Sequence, residues 1–246
     1  SKFYPIDNSM IRIFIFSYSG DAAEAVACVR CARMAVPCAS VTVVDDASSP
    51  VQEETAEALR SMGAEYVQSS WERHGNLRGP DCIRGMLSEM CREAEDDDIL
   101  VKVDCDTALL DGGWLRWMEQ RPWCQMYTSG DFVNGDWRVF GCLYALRGWI
   151  ARRLYREMDW TLLDDRAPED WTIGREVLAR VPAALCRIDE PWRKRSPWSI
   201  WTAWCWPSRT VSAESYAARF AVVITGSPRM SNQPASERAR VMHLLA

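Results

Sequence analysis

The sequence predicts an α/β protein in which helices cover both faces of a mostly parallel central sheet. Two observations carry this prediction. Strand-like and helix-like segments alternate four times in the N-terminal part of the 246-residue chain, and the connections are long enough to be helical crossovers. Parallel strands require such crossovers, because a tight turn can join only antiparallel neighbours. Acidic residues also follow two of these strand-like segments directly, which bears on function.

The first four strands are predicted from short runs rich in Ile, Val, Phe and Tyr, which favour β structure. These runs cover residues 11–16, 41–44, 65–68 and 99–103. Helical patterns between them cover residues 21–34, 50–62 and 81–94. Pro50 suits the first turn of the second helix, and Gly63 suits its end.

The second half of the chain is less regular. Residues 125–127 and 183–188 are predicted strands, and residues 148–158 and 171–179 are predicted helices. Asn134 and Gly135 are typical of a tight hairpin turn. The segment 226–234, rich in Gly, Ser, Pro and Asn, is predicted to be a mobile loop.

Composition narrows the class of protein. The net charge of −5 argues against nucleic acid as a partner, because duplex binding requires a concentrated basic face. No uninterrupted apolar run reaches the ~18 residues that a transmembrane helix needs. The ten cysteines are scattered, which favours buried reduced thiols and a cytoplasmic location over a disulfide framework.

Carboxylates follow two of the predicted strands. Asp45 and Asp46 come after the second strand, and Asp104, Cys105 and Asp106 come after the fourth. Ligands of parallel sheets bind beyond the carboxyl ends of the strands, so both groups should face one crevice. Two acids one residue apart suit Mg²⁺ or Mn²⁺, which prefer oxygen ligands and complete their shell with substrate phosphates. The alternative is that these acids cap the helices that follow.

The order of these motifs resembles family 2 glycosyltransferases with the GT-A fold. The resemblance rests on Phe16-Ser17-Tyr18, on residues 43–48 and on Val103-Asp104-Cys105-Asp106, and it extends more weakly to about residue 180. It implies transfer of a sugar from a nucleoside-diphosphate donor, with UDP as the commonest nucleotide, in the presence of Mn²⁺ or Mg²⁺. The implied acceptor is a hydroxyl of a glycan, a lipid-linked molecule or another compound.

The resemblance also implies roles for individual residues. Tyr18 would stack near the nucleotide base and Asp46 would bind the base, while Asp104 would approach the ribose and Asp106 would ligate the metal. Some members of this fold supply a late histidine to the metal or diphosphate, and His243 is the candidate here. The expected donor site is completed by residues of the same motifs and by one nearby arginine: Ser17, Asp45, Cys105 and Arg78.

An acidic pair at the start of a later helix is the usual source of the catalytic base in this family. Glu169 and Asp170 match it, and we expect Asp170 to take the proton from the attacking hydroxyl in an inverting transfer. The alternative is that the two acids favour the positive end of the helix dipole. Asp164 and Asp165 are competing candidates for the base.

One domain spanning residues 1–246 is expected, with a nucleotide-binding half over about 11–110 and an acceptor-binding half with a C-terminal loop over about 111–246. Five tryptophans crowd into one part of the second half. Stacking on sugar rings, core packing and peripheral contact with the inner face of a membrane are three open interpretations of this cluster. Its members are Trp192, Trp198, Trp201, Trp204 and Trp206.

Departures from the family pattern leave two alternative functions open. Ala47 replaces the usual glycine after the Asp-Asp pair, and no arginine-tryptophan motif of processive synthases is present, which favours a single addition of sugar. Asp104-Cys105-Asp106-Thr107 also satisfies the D-x-D-x-T signature of haloacid-dehalogenase-like phosphatases, in which Asp104 would be the nucleophile. The other alternative is a catalytically inactive nucleotide-sugar-binding module.

Overall fold

The computed structural model describes residues 9–73, 77–191, 200, 202–204, 212–226 and 233–246. The tryptophan cluster at residues 192–206 lies almost wholly outside the described residues, as does most of the predicted loop at 226–234. Among the described residues no helix is long and apolar enough to cross a membrane. The nine cysteines that are described are free thiols.

A seven-stranded sheet forms the centre of the molecule, in the order β3-β2-β1-β4-β7-β6-β8. All strands run in one direction except β7, which is antiparallel to both of its neighbours. This confirms the predicted mostly parallel sheet. In chain order the strands are β1 Ile11–Ser17, β2 Ser40–Asp45, β3 Glu65–Gln68, β4 Ile99–Asp104, β6 Met126–Val133, β7 Asp136–Arg147 and β8 Cys186–Asp189.

A smaller three-stranded sheet lies beside the carboxyl end of β4. Its strands, in the order β5-β10-β9, are β5 Thr107–Leu109, β10 Val222–Ile224 and β9 Thr202–Trp204. β10 pairs antiparallel with β5 and brings residue Ile224 next to Thr107. The C-terminal part of the chain is thereby attached to the residues that follow Asp106. The sequence patterns did not predict this sheet, because three-residue strands leave no periodic signal.

Helices pack on both faces of the central sheet, as predicted. On one face lie α1, α2, α4, α7 and α8, and on the other lie α3, α5 and α6. The strands are apolar on both sides because both sides are covered: Ile13 and Ile15 pack into one core, Phe14 and Phe16 into the other. The helices are α1 Ala22–Ala35, α2 Glu53–Ser61, α3 Pro80–Cys91, α4 Gly113–Glu119, α5 Gly148–Glu157, α6 Glu169–Arg180, α7 Ala213–Ala217 and α8 Ala235–Leu245.

Several predicted boundaries differ from the structure. The second helix begins at Glu53 after an extended Gln52, so placing Pro50 in its first turn was wrong. α6 begins at Glu169, two residues before the predicted start. The predicted turn between β6 and β7 is confirmed, with φ values of 53° at Asn134 and 87° at Gly135. A left-handed backbone at both central positions is what a tight hairpin turn of this type requires.

A buried arginine at the end of β7 connects several of these elements. Arg147 is 1% exposed. Its guanidinium donates hydrogen bonds to the carbonyl oxygens of Cys124 at 3.1 Å, Asp97 at 2.8 Å, Met118 at 2.7 Å and Arg121 at 3.2 Å. The last two are carbonyls at and beyond the C-terminal end of α4, where a helix leaves acceptors without intrahelical donors.

We expect Arg147→Leu to lower the free energy of unfolding by about 3–5 kcal/mol, because buried carbonyls would lose their donor. Urea unfolding of the purified chain measures this. Arg116→Leu, an exposed position on α4, is the matched control and should change stability by less than about 0.5 kcal/mol. Equal stability of the two variants would contradict the role assigned to Arg147.

Candidate active site

A cavity of about 840 Å³ opens beyond the carboxyl ends of β1 and β4, which is where ligands of parallel sheets bind. Its volume lies within the usual range for small-molecule sites. Side chains from the end of β1, the end of β4, the β6–β7 hairpin and the start of α6 line it. Of the residues predicted from the sequence, it contains Tyr18, Arg78, Asp104, Cys105, Asp106, Glu169 and Asp170.

The floor of the cavity contains a buried lysine that the sequence analysis missed. Lys102 lies on β4 and is 1% exposed. Its Nζ is 2.5 Å from Asp104 Oδ1 and 3.5 Å from Glu169 Oε1, and it also donates to the carbonyl oxygen of Gly141. Burial alone would lower the pKa of Lys102, but the two carboxylates raise it, so the ammonium stays charged. Lys102 therefore holds Asp104 and Glu169, at the start of α6, close to each other.

Asp106 is enclosed by the C-terminal part of the chain. The backbone N–H and the hydroxyl of Thr225 both donate to the carbonyl oxygen of Asp106, at 2.8 and 2.9 Å. Gly226 packs directly against the carboxylate: a Cβ at this position would lie 1.7 Å from Asp106 Oδ2. Only glycine allows this approach. Cys105 lies between Asp104 and Asp106 in the sequence. Its side chain is buried, and its thiol donates a hydrogen bond to the carbonyl oxygen of Phe16 at 3.3 Å.

The environment of Asp106 fits a divalent cation. Burial, followed by repulsion from Asp104 and Glu24, raises the pKa of Asp106 to about 7. A bound cation would supply the positive charge that this carboxylate lacks. Among the described residues no cluster of three or more His, Cys, Asp or Glu could hold a metal by itself. One or two carboxylates, with the remaining ligands from substrate phosphates and water, are the usual set for Mg²⁺ and similar ions.

The two acids at the start of α6 occupy different environments. Glu169 is 4% exposed and lies against Lys102, and burial raises its pKa to about 7. Asp170 is only partly buried; its Oδ2 accepts a hydrogen bond from the Gly141 N–H at 3.2 Å. Burial raises the pKa of Asp170 as well. The more accessible Asp170 is thus the better placed of the two to accept a proton from a substrate.

Ser17 and Asp45, both predicted to bind the nucleotide-sugar, are occupied in holding strands together. Asp45 is 0% exposed. Its carboxylate accepts hydrogen bonds from the Ser17 hydroxyl at 2.7 Å, the Tyr66 hydroxyl at 2.6 Å and the Val51 N–H at 2.8 Å. The structure does not bring either residue to the cavity. A buried aspartate that links β1, β2 and β3 by hydrogen bonds gives the same local sequence pattern as an aspartate that binds a ligand.

Asp46 also lies outside the cavity lining. It accepts hydrogen bonds from the N–H and hydroxyl of Ser48 at 2.9 and 2.7 Å and from the N–H of Arg73 at 3.2 Å. Burial would raise the pKa of Asp46, but these hydrogen bonds outweigh it and lower the pKa. Arg73 links Asp46 to Tyr18: its backbone N–H contacts Asp46, and its guanidinium lies 4.8 Å from the centre of the Tyr18 ring.

The other two predicted residues, Arg78 and His243, lie in different places. Arg78 lines the cavity, but its backbone pairs with Pro168, which places it beside the start of α6. His243 is exposed on α8, with its Nδ1 3.4 Å from an Arg30 nitrogen on α1. The structure does not bring His243 to Asp104 or Asp106, because the face of α8 that reaches the cavity carries Arg238 instead.

The sequence analysis missed two further ion pairs in the cavity wall. Arg73 contacts Asp21 at 2.5 Å, and burial raises the pKa of Asp21 to about 6 despite this partner. Arg238 makes a two-fold contact with Glu24, whose side chain is 1% exposed. For the second pair, the sequence offered one signal. Glu24 falls on the inner face of α1, which is otherwise apolar.

The sequence matches no protein-family model and no curated protein. Solved structures do resemble it. The galactosyltransferase LgtC, solved with donor and acceptor sugar analogues, aligns with a TM-score of 0.55 at 13% identity over 96% of both chains. The bifunctional glycosyltransferase WbbM aligns with a TM-score of 0.53 at 12% identity, over 96% of this chain and 52% of that one.

A third similar structure is glucosyl-3-phosphoglycerate synthase from Mycobacterium tuberculosis, solved with Mn²⁺, UDP-glucose and phosphoglyceric acid. It aligns with a TM-score of 0.51 at 13% identity, over 77% of this chain and 74% of that one. At these identities the likeness concerns the fold. The chain has the α/β fold of GT-A glycosyltransferases, as the order of its motifs predicted.

The ion pairs of Lys102 can be tested by a double-mutant cycle. We expect Lys102→Met to lower the free energy of unfolding by about 3–5 kcal/mol, because it leaves the buried Glu169 and the half-buried Asp104 without a partner. Adding Glu169→Gln should recover at least about 1 kcal/mol of that loss, since one of those charges is then removed. Urea unfolding measures all variants.

Leu100→Ala is the control for this cycle, since Leu100 is fully buried on the same strand but contacts no charge. It should lower stability by about 2–5 kcal/mol and combine additively with Glu169→Gln. Additive behaviour of the Lys102 pair as well would contradict the proposed coupling.

Proposed function

We propose that this protein is a metal-dependent glycosyltransferase that moves a sugar from a nucleoside diphosphate to a hydroxyl acceptor. The observation that carries the proposal is the position of Asp104 and Asp106 at the end of the central strand β4, in the floor of the cavity of a GT-A fold. The order of the sequence motifs, which resembles that of family 2 glycosyltransferases, supports the same conclusion. Membership of family 2 is part of the proposal.

The donor end of the cavity is proposed to lie between the end of β1 and the end of β4. Asp106, with Asp104 beside it, would hold Mn²⁺ or Mg²⁺, and the ion would neutralise charge on the departing diphosphate. Tyr18 and Arg73 would face the nucleoside. UDP is the proposed nucleotide, in keeping with the Mn²⁺ and UDP-glucose in the mycobacterial synthase structure.

Asp170 is proposed as the catalytic base. An inverting transfer needs a carboxylate that accepts the proton of the acceptor hydroxyl as the hydroxyl attacks the anomeric carbon. Asp170 lines the cavity, its carboxylate is oriented by the Gly141 N–H, and burial raises its pKa toward the useful range. Glu169 would have a different role. It contacts Lys102, and Lys102 in turn contacts Asp104, so Glu169 would help to hold Asp104 in position.

The phosphatase alternative receives less support. It would require Asp104 to attack a phosphoryl group, and its signature usually ends the first strand of a domain, whereas Asp104 ends the fourth strand of this chain. The solved structures that the chain resembles are glycosyltransferases. The proposed acceptor is a glycan or a lipid-linked molecule, and residues 192–206 are proposed to contact the cytoplasmic face of a membrane.

The donor site can be tested by thermal unfolding in the presence of UDP, GDP, dTDP or inorganic phosphate, each with and without Mn²⁺. We expect UDP with Mn²⁺ to raise Tm, and UDP without metal to have a much smaller effect. At a ligand concentration 100 times Kd the stabilisation corresponds to about 2.7 kcal/mol. Asp106→Asn should abolish the metal-dependent part, because it removes a charged ligand.

Asp136→Asn, at an exposed position on the hairpin outside the cavity, is the matched control and should keep the full shift. A UDP effect that is unchanged in Asp106→Asn would contradict the assignment of the metal site. Hydrolysis of p-nitrophenyl phosphate that requires Asp104, without any nucleotide effect, would establish the phosphatase instead.

A further inference from the structure

An exposed tryptophan lies beside the proposed base. Trp171 follows Asp170 in the first turn of α6, and its backbone N–H donates to Asp170 Oδ1 at 2.8 Å. The residue lines the cavity while remaining 54% exposed. The core residues of α6, such as Ile173 and Val177, point to the other side of the helix. More than half of Trp171 is therefore left uncovered by the fold, and this exposed apolar surface lies at the cavity.

The β6–β7 hairpin contributes polar side chains to the same cavity. Asp131 on β6 and Arg138 on β7 are cross-strand neighbours joined by a two-fold ion pair, with one contact at 2.8 Å, and both line the cavity. The hairpin alternates, as strands do, so Phe132 and Trp137 pack against each other away from the cavity. An irregular register between Thr128 and Gly130 precedes this pair, and such bulges re-aim the side chains beyond them.

We infer that this end of the cavity binds a pyranose ring of a carbohydrate acceptor, with Trp171 under the apolar face of the ring and the Asp131–Arg138 pair in contact with its hydroxyls. The inference rests on the proposed function, because it takes Asp170 as the base. A flat aromatic side chain and a pair of hydrogen-bonding groups lining one cavity match the two chemical characters of a pyranose, its apolar ring face and its hydroxyls.

An acyl chain suits this end of the cavity less well. It would remove the Asp131–Arg138 pair from water without offering hydrogen bonds in return, which costs free energy. A small linear alcohol would reach Asp170 but would cover little of the indole. Ring-containing acceptors are thus distinguished from ringless ones by their contact with Trp171.

Saturation-transfer NMR on the full chain with UDP and Mg²⁺, which unlike Mn²⁺ is diamagnetic and does not broaden ligand signals, tests the inference. The probes are methyl β-glucopyranoside, methyl β-galactopyranoside and, as the ringless polyol, glycerol. At least one pyranoside should receive saturation on its ring C–H protons, and glycerol should not. Trp171→Ala should weaken pyranoside binding about tenfold, whereas Trp171→Phe should retain most of it because a flat ring remains.

Trp123→Ala, which truncates another exposed tryptophan outside the cavity, is the matched control and should bind as the wild type does. The inference is overturned if neither pyranoside binds, if glycerol binds equally well, or if Trp171→Ala leaves pyranoside binding unchanged. The UDP-dependent Tm shift, measured on the same samples, reports separately on the proposed donor site. A pyranoside failure with an intact UDP shift therefore rejects only the acceptor inference.

Discussion

The site depends on one buried positive charge, the ammonium of Lys102. Several carboxylates converge beyond the ends of β1 and β4, where mutual repulsion and burial both oppose ionisation. Lys102 lies at the centre of the sheet and contacts one acid from β4 and one from α6, so it joins the two sides of the cavity. Without this charge the fold could not place both acids close together at low cost. The acids that line the cavity are Asp21, Glu24, Asp104, Asp106, Asp131, Glu169 and Asp170.

The ion pairs leave two of these acids available for chemistry. Arg73 is paired with Asp21, Arg238 with Glu24, and Arg138 with Asp131. Within the described residues, Asp106 and Asp170 have no ion-pair partner. Under the proposed function these are the two carboxylates that meet the metal ion and the proton of the acceptor. The acids that form ion pairs within the protein thus have structural roles, and the two unpaired acids have the proposed chemical roles.

The N-terminal half was predictable from sequence because its information is local. β1, β2 and β4 are mostly apolar runs, and helical patterns separate the strands, although the start of the second helix was misplaced. The acids at 104 and 106 could be placed at a strand end for the same reason. Asp45 shows the limit of this approach: the same pattern describes an acid that faces a ligand and one that is buried against Ser17 and Tyr66.

The remaining features depend on contacts between distant parts of the chain. Arg238 and Glu24 are 214 positions apart, and nothing near either residue marks the other as its partner. Lys102 sits in an otherwise apolar strand, and its role emerges only when β7 and α6 pack beside it. The small sheet that encloses Asp106 is formed by strands of three residues, which are too short to produce a periodic pattern.

The central claim is that Asp106, with Asp104 beside it, holds a divalent cation together with a nucleoside diphosphate. Crystals grown with UDP and MnCl₂, measured at the manganese absorption edge, test it most directly. The account predicts an anomalous peak bound to the Asp106 carboxylate, with the UDP diphosphate completing the coordination and the uridine toward Tyr18. A manganese peak elsewhere, or UDP bound without contact to either aspartate, would contradict it.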